Sequence, residues 1–226
     1  MKSIMKIIWE QMRYSFALLR IGGPKVFLKQ LKRQIYSRDA QIGLELNLQG
    51  INIPEVETKI EYTLRLASRE DMDEVLKKAK TENKESAQRL VFRRWLYEDG
   101  YHNCYIARTA DTNELCFMQS VIHPGDDEIV EGRFRGWFPR LREGEALLEG
   151  AYTFEKYRGN RLHPAILGDI LEIYRGNDFK RIITHIEKDN VAAFKGADKV
   201  GFTPFEEVPE LRILFLTRRK FRRVDG

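Results

Sequence analysis

The chain has 226 residues, 42% hydrophobic and 11% aromatic, which excludes a disordered chain and allows one domain with a core plus an appendage. Its net charge of +5 is carried by the ends: residues 1–45 hold nine basic against three acidic residues, and 218–226 hold five against one. The middle, 46–217, is mildly acidic, which argues against a nucleic-acid-binding face and leaves the basic termini for an anionic partner such as a membrane surface.

Residues 3–20 and 24–37 read as two amphipathic helices broken at Gly22-Gly23-Pro24. Ile4, Ile8, Met12, Phe16 and Leu19 recur at helical spacing, a stripe that docks on the chain's own domain, on a second copy in a homodimer, or peripherally on a bilayer. Docking, on the domain or on a second subunit, is favoured over the bilayer. Charged residues interrupt this stretch, no small-residue cleavage site follows, and no apolar run reaches the length of a membrane span. The expectation is a cytoplasmic protein, with the inner membrane face left open. Residues 38–58 read as a loose connector.

From residue 60 the pattern becomes regular. IEYTLRLA (60–67) alternates as a strand, and Ser68 with Asp71 forms a capping box that opens a helix. Residues 84–100 read as a second helix, and 101–123 as a hairpin around Asp111-Thr112-Asn113. Cys104 and Cys116 flank that hairpin; core thiols are the favoured reading and a bridge stays open. A loop over 124–145 precedes strand 146–154, helix 164–175, strand 181–187, helix 190–200 and strands near 202–208 and 211–217. This order predicts an α/β protein, a mixed sheet with helices on its faces. The domains expected are a basic helical extension with its connector (1–58), a catalytic-sized domain (59–217) and a basic tail (218–226). The four histidines are scattered, and no spacing suggests a metal site.

The segment EKYRGNRLHPAIL (155–167) joins strand to helix. A helix start offers unpaired amides and the positive end of its dipole, which suits a phosphate. Gly159 permits close approach, Pro164 fits the first turn, and Arg158 and Arg161 carry donors for phosphate. It is neither a P-loop nor a dinucleotide fingerprint.

Tyr157-Arg158-Gly159-Asn160-Arg161-Leu162-His163, followed by Asp189-Asn190 and Lys199-Val200-Gly201-Phe202, resembles the two motifs of the GNAT superfamily of acyl-CoA-dependent N-acyltransferases. The resemblance covers about residues 60–217. It departs at Arg161 and His163, which replace the second and third loop glycines, and at Ala197, where many members have a tyrosine that protonates the leaving thiolate. The resemblance implies a GNAT fold with an N-terminal helical extension, and transfer of an acetyl or other acyl group to an amine in a ternary complex. It implies acetyl-CoA as cosubstrate and no metal. The acceptor stays open among amino sugars, lipid head groups and polyamines, and the alternative is a non-catalytic acyl-CoA-binding or membrane-associated module. Backbone groups of Tyr152, Thr153 and Phe154 would pair with the pantetheine arm. Amides from Arg158 through Gly159, Asn160, Arg161 and Leu162 to His163 would hold the diphosphate, with Asn190 contacting cofactor or capping its helix.

Glu149 is the candidate base. It lies four residues before Thr153, which by simple alternation puts both on one face, and its apolar neighbours would raise its pKa. The alternative is a strand glutamate paired with an arginine. Glu155 is a weaker candidate, His185 reads as structural, and Trp137-Phe138 as a wall for an acceptor.

Overall fold

A computed structural model describes residues 2–126 and 136–224. Its architecture is a mixed α/β sheet with helices on both faces, as the element order predicts.

The first helical run, α1 (Lys2–Ile35), breaks at Gly23, whose φ of 75° only glycine adopts cheaply, and Pro24 restarts it. The half after the break docks on the domain: Val26 meets Val91, with Leu76, Phe92 and Trp95 around them. In the half before it, Trp9, Phe16 and Leu19 are exposed, while the Ile4 side chain lies outside the described residues.

The loose connector over 38–58 is a reading the fold corrects. Tyr36–Asn47 is strand β1, twelve residues long, antiparallel to both β6 (Arg181–Glu187) and β7 (Thr203–Ile213). Leu44, Leu46 and Leu48 point to one face and are buried; each contributes about 1.5–3 kcal/mol. The first 58 residues therefore supply a central strand to the sheet expected from 59–217 alone.

β2 (Tyr62–Leu66) leads into α2 (Arg69–Ala79) through the predicted capping box. The Asp71 N–H donates to Ser68 Oγ at 3.3 Å, and the Ser68 N–H donates to Asp71 Oδ2 at 2.7 Å. Helix α3 (Lys84–Glu98) follows, then the hairpin β3 (Cys104–Thr109) and β4 (Leu115–Ile122), turning with Asn113 at φ 55°. Cys104 faces Ser120 across that hairpin, and both cysteines are free and buried.

β5 (Glu145–Thr153), α4 (Leu162–Gly176), β6, α5 (Val191–Asp198) and β7 complete the frame. The expected break between two last strands lies elsewhere. β7 runs unbroken through Pro209 to Ile213 and turns at Leu214-Phe215, both at positive φ, into β8 (Leu216–Arg219). The basic tail is partly in the sheet, with β9 (Arg222–Arg223) pairing Glu206 and Glu207.

The strand order is β2-β3-β4-β5-β6-β1-β7-β8. Of these pairs only β5–β6 is parallel, and it lasts four residues, from Glu145↔Arg181 to Leu148↔Thr184. Beyond Leu148 the two strands part. Leu148, Ile182 and Ile186 pack toward α4 and α5, while Leu147 and Ile183 pack toward α3 and Phe138. The gap between the strands thus joins the two faces of the sheet.

Candidate active site

A cavity of about 300 Å³ occupies that gap. On the α4–α5 side it is bounded by His163, Leu167, Asn190, Ala193 and Ala197. On the α3 side it is bounded by Phe92, Arg93, Trp137, Glu149 and His185, among others.

The strand-to-helix loop is built for an unusual backbone. Gly159 has φ 79° with open space where a Cβ would stand. Arg161 immediately precedes α4 at φ 61°, ψ 16°, the left-handed region, with its side chain exposed. This is the position of a motif glycine, and an L-residue there costs roughly 1–2 kcal/mol. Asn160 pins the loop: its side chain donates to the Tyr157 and Arg158 carbonyls, and its own carbonyl accepts from Lys59 N and Thr58 Oγ1. In the first turn after Arg161, Pro164 has no N–H and the Ala165 N–H donates to the Arg161 carbonyl, which leaves the Leu162 and His163 amides without a preceding helical carbonyl.

Arg158 folds back toward the strand. Its Nε donates to the Thr153 carbonyl at 3.1 Å, and its guanidinium meets Ser86 and Tyr152. The Tyr152 hydroxyl donates to Glu82, and the Phe154 N–H is committed to the Cys116 carbonyl of β4. Glu155 accepts from Ser86 Oγ and Asn83 in the same outer network, away from the cavity wall. Asn190 caps α5, as its position at the helix start predicts: its side chain accepts from Ala193 N at 3.2 Å, and the residue also borders the cavity.

His163 explains how the loop tolerates an imidazole in place of a glycine. Its ring stacks on Phe117, with centroids 5.9 Å apart, and lies against Gly196, which has no Cβ. Burial pushes its pKa down to about 4, so the ring is neutral at pH 7.

Glu149 does not share a face with Thr153, which corrects simple alternation. The register slips between Met118 and Ser120, so that Met118 pairs Tyr152 while Ser120 pairs Glu149. One extra β5 residue enters there, at Gly150, φ 66°. Glu149 therefore shares the α3 side with Tyr152, and Thr153, opposite Phe117, faces the α4 side. The bulge carbonyls are held by one buried guanidinium: Arg93 donates to Gly150 O, and to Ala151 O at 3.0 Å. Burial raises the Glu149 pKa, against the opposing pull of Arg219, His185 and Arg93.

Trp137 forms the far wall. Its ring stacks on Phe92 at 5.8 Å and carries the guanidinium groups of Arg212 and Arg219 at 5.4 and 5.6 Å. Both arginines pair with the buried Glu210, at 2.6 and 2.7 Å. That charged wall was not legible in the sequence, because its members come from β7, β8 and a distant loop.

His185 lies in β6, as expected, and its side chain is buried there. Its Nε2 lies 2.8 Å from Glu206 Oε1, and its side chain is 1% exposed. Among the described residues nothing partners its Nδ1. Nor do the described residues hold a group of His, Cys, Asp and Glu suited to a metal ion, or a helix long and apolar enough to cross a membrane.

No family model matches the sequence, and no curated protein matches it. Solved structures do share its shape. One is a GCN5-related glucosamine N-acetyltransferase region of a fungal multi-domain GH3 β-N-acetylglucosaminidase, with TM-score 0.58 and 12% identity, covering 81% of this chain and 22% of that one. Another is a GCN5-related N-acetyltransferase from Sphaerobacter thermophilus, with TM-score 0.53 and 12% identity over 88% of this chain and 57% of that one. A third, a tandem GNAT protein of the clavulanic acid biosynthesis pathway, has TM-score 0.50 and 15% identity over 82% of this chain and 56% of that one. The chain spans little more than half the length of the latter two and about a fifth of the first. At such identities the likeness is one of fold, and the chain has the fold of the GNAT acetyltransferases.

Proposed function

We propose that this protein is an N-acyltransferase that moves an acetyl or other acyl group from acyl-CoA to an amine in a ternary complex. One observation carries the reading. A cavity reaches through the parting of β5 and β6, from His163 in the first turn of α4 to the desolvated carboxyl of Glu149, while Tyr152–Phe154 and Arg158–Leu162 lie outside its lining.

The residues present fit acyl-CoA. The Leu162 and His163 amides after the left-handed Arg161 suit the diphosphate, and the open space at Gly159 lets it approach. Tyr152, Thr153 and Asn190 flank the path of the pantetheine arm, with the Phe154 amide already bound within the sheet. Bound acyl-CoA supplies an activated thioester, which an amine converts to an amide with release of the thiol.

Glu149 takes the amine's proton, and the burial that raises its pKa makes its carboxylate a stronger base. Trp137, Phe92 and Phe138 shield this side from bulk water. Ala197 carries no group able to protonate sulfur, so that role falls to another residue or to solvent. The acceptor is an amine-bearing small molecule. Calorimetric titration with acetyl-CoA, followed by thiol release with a panel of amines, tests the reading; absence of binding sinks it.

A second element concerns the basic end. Trp9 and Leu28 are exposed on α1 and Tyr36 at the start of β1, and Lys25, Lys29 and Lys32 are exposed on α1 after its break at Gly23. This supports contact with an anionic membrane surface at the cytoplasmic face. Sedimentation with phosphatidylserine vesicles tests it, and equal binding by a Trp9→Ala/Leu28→Ala variant would contradict it.

A further inference from the structure

His185, Gly43 and Glu206 stand in one row across three strands. The register pairs Gly43 of β1 with His185 of β6 on one side and with Glu206 of β7 on the other. A glycine at the middle position is required. A Cβ there would lie 2.4 Å from Glu206 Cγ, so the carboxylate passes over β1 only because Gly43 has no side chain. It ends 2.8 Å from His185 Nε2. With Nε2–H donating to the carboxylate, the unpartnered Nδ1 carries the lone pair. The ring borders the cavity, whereas Glu206 does not. Residue 185 follows the last β5–β6 pair, Leu148↔Thr184, as Glu149 does on the facing strand. Both side chains share the α3 face, where the two strands part.

We propose that His185 is a second catalytic residue of the acyl transfer, a proton acceptor on the acceptor-amine side, with Glu206 and Gly43 as its positioning residues. The inference rests on the acyltransferase reading and adds a residue to it. An ammonium acceptor loses two protons when it becomes an amide. The N–C bond forms, the C–S bond breaks, one proton ends on sulfur and one leaves. A single carboxylate cannot hold both protons. Glu149 takes the first, which frees the amine's lone pair, and His185 Nδ1 takes the second as the N–C bond forms; one of the two then passes to the thiolate, directly or through solvent, and the other to solvent. The carboxylate of Glu206 fixes the tautomer and stabilises the imidazolium.

The test compares wild type with His185→Gln, His185→Ala and Glu206→Gln. Each is titrated with acetyl-CoA and assayed for thiol release with glucosamine, spermidine and ethanolamine, and with water as acceptor for background hydrolysis. The expected result is unchanged acetyl-CoA affinity with kcat about 10²-fold lower or worse for both His185 variants. Free imidazole restores part of the rate to His185→Ala. Glu206→Gln lowers kcat at least tenfold while both KM values hold, which a merely structural loss would not produce. Gly43→Ala, if it folds, follows Glu206→Gln. Wild-type turnover retained within twofold by His185→Gln overturns the proposal and leaves the acyltransferase reading standing. A wild type that does not bind acetyl-CoA fails that reading itself. A wild type that binds it but releases thiol to no acceptor removes His185 and Glu149 together as proton acceptors.

Discussion

His163 lies so close to Gly196 that a Cβ on the glycine would sit 2.8 Å from the imidazole Nδ1. The imidazole that stands where the resembling motif has a glycine is therefore accommodated by a residue without a Cβ on the facing turn of α5, Gly196. Gly196→Ala gains helix propensity of about 1 kcal/mol but overpacks the contact by roughly 1–3 kcal/mol. The expected outcome is net destabilisation in wild type and stabilisation in a His163→Ala background, measured as a double-mutant cycle by urea unfolding. Equal effects in both backgrounds would contradict the contact.

Arg161 carries its positive φ at a cost that glycine would not incur. Arg161→Gly should stabilise by roughly 0.5–1 kcal/mol, the strain relieved less the chain entropy glycine adds, read as a small rise in Tm. If the loop amides hold the diphosphate, acetyl-CoA affinity stays within a fewfold. A loss of tenfold or more assigns the contact to the guanidinium instead.

The His163 pKa of about 4 lies below the ordinary histidine value near 6.5. The unfolded chain therefore binds a proton that the fold resists. Stability from this group is full above about pH 6.5 and falls as pH drops towards 4, with no further loss below. His163→Gln should flatten the Tm profile across that window. A parallel profile would contradict the buried neutral ring.

Glu149 has the opposite linkage. Burial raises its pKa, so ionisation opposes folding, and stability is lost as pH rises through the folded value. Glu149→Gln should raise Tm at pH 7 relative to wild type while nearly abolishing turnover. It should also remove an acid limb of kcat/KM lying above the usual carboxylate range. Turnover unchanged at every pH removes Glu149 from the chemistry.

Asp71 joins α2 to the sheet. Burial alone would raise its pKa, but hydrogen bonds from Arg65, the Ser68 amide and Arg108 hold it well below the usual range. Its stabilisation is present above the unfolded value near 3.9 and lost as pH falls through the depressed one. Asp71→Asn leaves Arg108 partly unpaired and should cost about 3 kcal/mol, seen by urea unfolding at pH 7.

Much of this was legible in the sequence. The capping box at Ser68 and Asp71, the turn at Asn113 and the cap at Asn190 depend on residues within a few positions of one another, which is the range sequence patterns encode. β1 carried a signal that was passed over. Ile42, Leu44, Leu46 and Leu48 alternate with Gln41, Gly43, Glu45 and Asn47, a period of two hidden among charges and a glycine. The face of Glu149 was misread because one extra residue at Gly150 reverses the alternation, and an isolated glycine in a strand is the cue for that. The His185–Glu206 contact had no local trace. Its two ends are 21 positions apart, and the strand between them comes from the other end of the chain.

The most direct measurement is a crystal structure of the protein with acetyl-CoA. The account predicts the diphosphate on the amides that follow Arg161 and the thioester in the gap beyond Leu148 and Thr184, open towards Glu149. Density for the cofactor elsewhere, or a first turn of α4 still closed by His163 with no ligand against it, would contradict it.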